Sequence, residues 1–422
     1  MPRIATLPRG PIARGTVATA AVMGGRLLAL AAQMLLVARL LRPDSFAQYV
    51  AVGALAFLIG GFTTFGTQLL VLRDVARGNG RAMLATGLGT WRRLVLPLFG
   101  LYLLACHSLG LLGAAPLMVL GVGAAELLLQ PLLQLMAAVC QGRGAVPLGQ
   151  AWLALPLLFR AMLFLGVLMA APDEPMTWLG GVHLVAAAAA VVLMLRFGAV
   201  QIPPPQEWRA LRGSEWVPAG SFALLGITAN AQTEVDKLLA VRLLAPGAAG
   251  LYAAASRVQS AVVLPVLAMM LSAMPRLFGK LEGDRRLVLA LGAASLGYAS
   301  LVGPILWLLA PCVEWLLGVS YAGVGGVLRT LLWALPAQAL RLVALNVLMS
   351  KGNPGARVSV ELLGVLCLAV AALLAPRVGY GFAAAVVLAE WAATLFAAGA
   401  TAFQLNGRGG GLSASQGAAE RK

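Results

Sequence analysis

The side chains best able to do chemistry in this 422-residue sequence are charged groups set inside long apolar runs. The bases are Arg26, Arg160, Lys237, Arg257 and Arg341, and the acids are Glu126, Glu234, Asp236 and Glu390. An Arg or Lys at the centre of a bilayer costs on the order of 3 kcal/mol, so each must be paired, hydrated or used. A guanidinium presents planar donors that match phosphate oxygens, which makes the bases candidates to hold a phosphorylated anion. A carboxylate whose ionisation differs between two states can couple movement to an ion gradient, which makes the acids candidates for that role. The alternative reading of both sets is interhelical ion pairs that hold helices together.

Spacing sharpens these assignments. Arg160, Arg257 and Arg341 each lie about eight or more residues inside their runs, beyond easy reach of the interface. Thr19, Arg26 and Gln33 repeat at heptad spacing and give the first run one polar stripe. Asn230, Glu234 and Lys237 fall at i, i+4 and i+7 on the seventh run, so Glu234 can pair locally with Lys237, whose amine is expected to snorkel outward. Asp236 points elsewhere. Substrate contacts are therefore sought at Arg26, Arg160, Arg257, Arg341, Asn230 and Lys237, and ion coupling at Asp236, Glu234, Glu126 and Glu390. His107 and His183 are the only histidines, are expected near helix ends, and support no proton relay. Cys106, Cys140, Cys312 and Cys367 lack ligand spacing, so neither a disulfide nor a metal site is expected, and no cofactor is implied.

The elements that must position these groups are transmembrane helices. Hydrophobic residues make up 60% of the chain and charged ones 11%, with a mean hydropathy of +0.89. Runs of roughly 20 apolar residues recur, each long enough to cross a hydrocarbon core of about 30 Å. About twelve such spans thread the chain. They run 17–41, 49–72, 88–112, 117–139, 150–171, 178–195, 217–239, 250–274, 287–309, 328–349, 358–375 and 381–402. With the N-terminus inside, roughly 21 of the 31 bases fall in cytoplasmic segments and about five outside, as the positive-inside rule requires. The net charge of +16 is thus largely topological and implies no nucleic acid.

Pro203-Pro204-Pro205 lies in the longest internal break and divides the chain into near-equal halves. The expected organisation is a bundle over 1–200, a cytoplasmic linker over 201–216, a second bundle over 217–406 and a disordered cytoplasmic tail over 407–422. Arg39, Arg42-Pro43 and Tyr49 find counterparts in Arg242, Ala245-Pro246 and Tyr252, with Arg73 and Arg276 at the same offset, the pattern of a parallel internal repeat. Paired glycines and prolines such as Pro97, Pro156 and Pro304 are expected to allow close approach or to interrupt helices.

The turn Ala38-Arg39-Leu40-Leu41-Arg42-Pro43-Asp44-Ser45-Phe46-Ala47-Gln48-Tyr49 resembles the turn after the first helix of Wzx-like polysaccharide flippases. These belong to the multidrug/oligosaccharidyl-lipid/polysaccharide (MOP) exporter superfamily. Phe65-Gly66-Thr67-Gln68 with Arg73-Asp74-Val75-Ala76 is similar to the end of their second helix. Asn230, Asp236-Lys237-Leu238-Leu239, Ala245-Pro246, Ala249-Gly250-Leu251-Tyr252 and Pro275-Arg276-Leu277 resemble their seventh and eighth. Ala47 departs from the family's usual Gly, which Gly250 keeps in the second copy. The resemblance implies an all-α, polytopic membrane protein of about twelve helices in two six-helix bundles around a central cavity, working by alternating access. It also implies an undecaprenyl-pyrophosphate-linked oligosaccharide as cargo, a bacterial inner membrane with both termini cytoplasmic, and a polysaccharide polymerase as a partner.

Other functions fit less well. A cation-coupled drug exporter of the MATE-like branch would want acids and aromatics in its cavity, whereas bases outnumber acids within the spans. A membrane-embedded polysaccharide polymerase or ligase needs a catalytic cluster, and the sequence holds no HExxH and no Gly-rich phosphate loop. No enzymatic activity is expected.

Overall fold

The computed structural model describes residues 11–198, 200–277, 285–350, 354–375 and 379–419. All regular structure among them is helical. In chain order the principal helices are α1 (Pro11–Leu40), α2 (Pro43–Gly60), α3 (Thr67–Ala76), α4 (Gly80–Ser108), α5 (Pro116–Gly123), α6 (Gln130–Gly142), α7 (Val146–Ala170), α8 (Pro175–Phe197), α9 (Trp216–Leu243), α10 (Pro246–Leu277), α11 (Arg285–Leu317), α12 (Val324–Leu331), α13 (Leu335–Ser350), α14 (Pro354–Leu374) and α15 (Gly379–Ala419). A π-helical turn, Ala124–Leu129, joins α5 to α6.

Among the described residues, ten helices are long and apolar enough to cross a membrane. The remaining two expected spans are present as α4, which carries Arg81, Arg92 and Arg93, and α9, which carries Glu234, Asp236 and Lys237. The chain is a multi-pass membrane protein. Many large apolar side chains stay exposed, among them Leu28, Leu96 and Leu308, because the solvent they face is hydrocarbon.

Several expected boundaries shift. The span 49–72 is two helices, broken where Phe65 and Gly66 take positive φ of 45° and 74°. A β-carbon on Gly66 would lie 2.3 Å from the Ala219 carbonyl oxygen of α9, so only glycine fits this break. Pro97, Pro156, Pro304 and Pro311 do not interrupt their helices, which continue through them. The last helix runs on to Ala419, through residues expected to form a disordered tail.

The described residues form two compact units, one up to Arg242 and one from Leu243. The border therefore falls after the seventh long helix, not within 201–216. The physical reason is the packing of α9, whose Ala219 is buried with Leu70 and Leu211 of the first unit.

The expected linker is a folded strap on α4. The Leu211 amide donates to Thr90 Oγ1 at 3.1 Å, and Trp208 meets Trp91 edge-on with ring centroids 6.5 Å apart. The backbone of Arg209 passes so close to Gly89 that a β-carbon there would sit 2.3 Å from it. Arg209 grips Glu215 with two hydrogen bonds of 2.9 and 2.7 Å, and Arg81 binds Glu207 at 2.7 Å.

In the second unit, α15 is joined to α13, and to the turn Leu332–Ala334 just before it, by side chains reaching backbone carbonyls. Trp391 Nε1 donates to Trp333 O at 3.1 Å, Thr394 Oγ1 to Ala337 O at 2.9 Å, and Thr401 Oγ1 to Ala344 O at 3.4 Å. Three donors on one face of α15 fix its register along its neighbour. Pro43 and Pro246 both open helices, as the repeat predicted, because proline at the first helical position loses no needed N–H.

Candidate functional site

Five helical elements of the first unit bring polar groups to one place. Gln33 of α1 donates from Nε2 to the Tyr49 hydroxyl of α2 at 3.0 Å, and that hydroxyl lies 2.9 Å from His183 Nε2 of α8. The other ring nitrogen, Nδ1, is 3.9 Å from Glu126 Oε1 on the π turn, and the same Oε1 receives Arg160 Nη2 of α7 at 2.6 Å. Gln33, Tyr49, His183, Glu126 and Arg160 thus form a chain that is hydrogen-bonded except at the 3.9 Å step from His183 to Glu126. His183 is 4% exposed and Arg160 5%.

Close backbone approach makes this geometry possible. A β-carbon on Gly121 of α5 would fall 2.3 Å from the Gly180 carbonyl oxygen, and one on Gly180 would fall 2.2 Å from Leu117 O. Two bare backbones therefore touch about one turn before Glu126 and His183 respectively. The π turn adds a residue to the helical circuit at Glu126, a distortion common at functional sites. The Phe164 ring packs edge-on against His183 at 5.9 Å.

The chain is not fully satisfied. Gln33 Oε1, His183 Nδ1 and Arg160 Nε are buried without hydrogen-bond partners. Buried polar groups are normally paired, so three orphans in one chain mark a place where a rearrangement or a guest can add bonds.

The expected site residues sort into three groups. Arg160 with Glu126, and Arg341 with Glu390 at 3.1 Å, are buried ion pairs, each joining a base expected to meet substrate to an acid expected to couple ions. Lys237 does not snorkel: it is 2% exposed, donates to the Thr233 carbonyl and sits 3.0 Å from Asp236 Oδ1 and 4.0 Å from Glu234 Oε2. Its stem folds back along α9, so the pairing favours Asp236, the acid that was expected to point elsewhere. Asn230 is half-buried, with its amide nitrogen 3.3 Å from where a β-carbon on Gly61 would lie.

The third group is Arg26 and Arg257, both half-buried. Among the described residues Arg26 has no hydrogen-bond or ion-pair partner, although it shares the α1 stripe with Gln33. Near Arg257, Gln259 Nε2 donates to Gln338 Oε1 at 2.8 Å, linking α10 to α13.

Sequence reasoning set His183 aside as a helix-end residue and gave Tyr49 no place in a site. His183 lies mid-chain in a polar network and not at a passive helix end, and the one signal that pointed there was the Thr19, Arg26, Gln33 stripe. Glu361 was missed too: it is 2% exposed and binds Arg357 at 3.1 Å, one turn away on α14.

No family model matches the sequence, and no curated protein matches it either. Solved structures do match in shape. An inward-facing multidrug resistance MATE family transporter of the MOP superfamily superposes with a TM-score of 0.71 at 14% identity, over 93% of this chain and 98% of that one. The lipid II flippase MurJ, in an inward closed conformation, gives 0.67 at 12% identity over 90% and 86%. A MOP superfamily transporter from Pyrococcus furiosus, whose binding pocket is described as having reverse polarity, gives 0.66 at 13% over 93% and 95%. At such identities the likeness speaks for architecture, and the chain has the all-helical fold of these three solved structures.

Proposed function

We propose that this protein is a flippase that carries an undecaprenyl-pyrophosphate-linked oligosaccharide across the bacterial inner membrane by alternating access, with both termini cytoplasmic. The observation that carries the reading is Arg26, a half-buried guanidinium on α1 without a carboxylate partner among the described residues. Such a charge inside apolar surroundings is unfavourable by about 3 kcal/mol unless a hydrated path or an anion meets it. A pyrophosphate supplies that anion, and a guanidinium supplies matched donors. Arg257 is the second proposed contact. Arg160, Arg341 and Lys237 already face acids, so their first role is to hold helices in register, with substrate contact only where those pairs open.

The flippase MurJ has this fold, which supports a lipid-linked cargo. MATE multidrug transporters have it equally, so a cation-coupled drug exporter is the second reading. The Pyrococcus furiosus transporter supports the view that pocket polarity, more than fold, separates functions in this superfamily. A polymerase that consumes the exported unit is the proposed partner, and no chemical step is assigned to this chain.

Deletion of the gene in its own host tests the reading. Accumulation of a pyrophosphate-linked oligosaccharide on the inner leaflet, with loss of surface polysaccharide, is the expected result. Unchanged polysaccharide with increased sensitivity to cationic drugs would favour the exporter.

A further inference from the structure

We propose that His183 is a proton-binding site and that loading it transfers Glu126 from Arg160 to the imidazolium. The proposal rests on the transporter reading and names the ion that would drive it. Its ground is the juxtaposition of one carboxylate between two potential cations: Glu126 Oε1 lies 2.6 Å from Arg160 Nη2 and 3.9 Å from His183 Nδ1.

The proton's route follows from the hydrogen bonds. Gln33 Nε2 donates to the Tyr49 oxygen at 3.0 Å, and in the proposed resting arrangement Tyr49 donates to His183 Nε2 at 2.9 Å and the imidazole hydrogen resides on Nδ1. An incoming proton from water binds Nε2 and forms the imidazolium. The Tyr49 hydroxyl then turns to accept from Nε2 and the Gln33 amide flips, so that the hydroxyl hydrogen goes to Gln33 Oε1, which is partnerless in the present arrangement. At the other ring edge Nδ1–H, also partnerless, gains an attraction to Glu126. One proton enters, no covalent bond between heavy atoms changes, and the same proton leaves to water when the chain resets.

The charges make the two pairings compete. One carboxylate cannot neutralise both a guanidinium and an imidazolium, so a tight His183 contact loosens the Arg160 contact. Glu126 is carried on the π turn, where an extra residue in the circuit lets the backbone change register locally. The charged and titratable groups facing His183 are Tyr49 from α2, Glu126 from the π turn and Arg160 from α7. From α1, Gln33 reaches it through Tyr49, with Arg26 two turns along the same stripe. On α6, Cys140 packs farther along α8 against Ala190 and Val191.

The chain has two histidines, so selective labelling isolates the site. The probe is the proton itself, read by the ring-nitrogen resonances of ¹⁵N-histidine-labelled, full-length protein in lipid nanodiscs, with exposed His107 as an internal reference. In R160Q the proton affinity of His183 should rise at least tenfold over wild type, and in the double variant E126Q/R160Q it should fall at least tenfold below R160Q. The double variant leaves no charge unpaired and guards against misfolding. A His183 that stays neutral at pH 4 in R160Q, or that has the same midpoint in wild type and R160Q, would overturn the proposal. No cargo is needed, so a failed titration leaves the flippase reading standing, and a failed export experiment leaves the proton site standing.

Discussion

The guanidinium of Arg160 meets the carboxylate of Glu126 at 2.6 Å, with 6% and 16% of the two side chains exposed. Such a pair is weak evidence of net stability, since desolvation offsets much of the attraction, yet breaking it from one side strands a charge. R160A or E126A alone should therefore destabilise the detergent-solubilised protein by about 3–5 kcal/mol, read as a lower melting temperature. The isosteric pair R160M/E126L should recover most of that loss. A double replacement whose loss equals the sum of the two single losses would mean the two residues act independently.

The Gly121 and Gly180 contact makes a sharper geometric prediction. A methyl group on either glycine must displace backbone, because a β-carbon would sit 2.3 or 2.2 Å from a carbonyl oxygen. G180A should push α8 off α5, draw His183 away from Glu126 and lower the melting temperature by several degrees. Gly181 next to it has open space, so G181A should be silent. A crosslink between cysteines placed on α5 and α8 would report the separation, and an unchanged yield in G180A would count against the close approach as the positioning device.

Acid should release the strap over α4. Two hydrogen bonds from Arg209, with another from the Arg212 amide, hold the Glu215 carboxyl below its ordinary range, against a smaller opposing effect of burial. A depressed folded-state value stabilises the fold above the unfolded value and is lost as pH falls through the folded one. The benefit is therefore full at pH 7, starts to fall below the ordinary carboxylate range of about pH 4.3, and is gone only when the pH drops under the folded value. The groups are substantially exposed, so its size is below about 1 kcal/mol. E215Q should lower the melting temperature slightly at pH 7 and leave it unchanged at acid pH. The opposite pH trend would contradict the assignment.

The fold was legible because each span is written in a run of apolar residues about as long as the bilayer is thick. Every expected span has a helical counterpart, and Pro43 and Pro246 mark equivalent helix starts as their repetition implied. The break at Phe65 and Gly66 was not legible, since its cause is the Ala219 backbone of a helix more than a hundred residues away. The strap escaped for a similar reason: three consecutive prolines signal a stiff linker, but Gly89 and Thr90 decide what it lies against. At the site, sequence identified the charged residues and could not tell which base meets which acid. Arg160 finds Glu126 and Arg341 finds Glu390 through tertiary packing alone. His183 was hardest, because a lone histidine in an apolar run carries no signature until Tyr49 and Glu126 are brought beside it.

Arg26 bears most of the weight in the functional reading. The most direct measurement is translocation of a fluorescent undecaprenyl-pyrophosphate disaccharide in vesicles containing the purified protein, followed by quenching of the outer leaflet. Wild type should move the lipid, R26K should retain part of the rate through its point charge, and R26Q should lose at least tenfold. A wild-type protein that leaves this lipid in place while exchanging ethidium for protons, or an R26Q variant with full lipid movement, would contradict a pyrophosphate-binding role for Arg26.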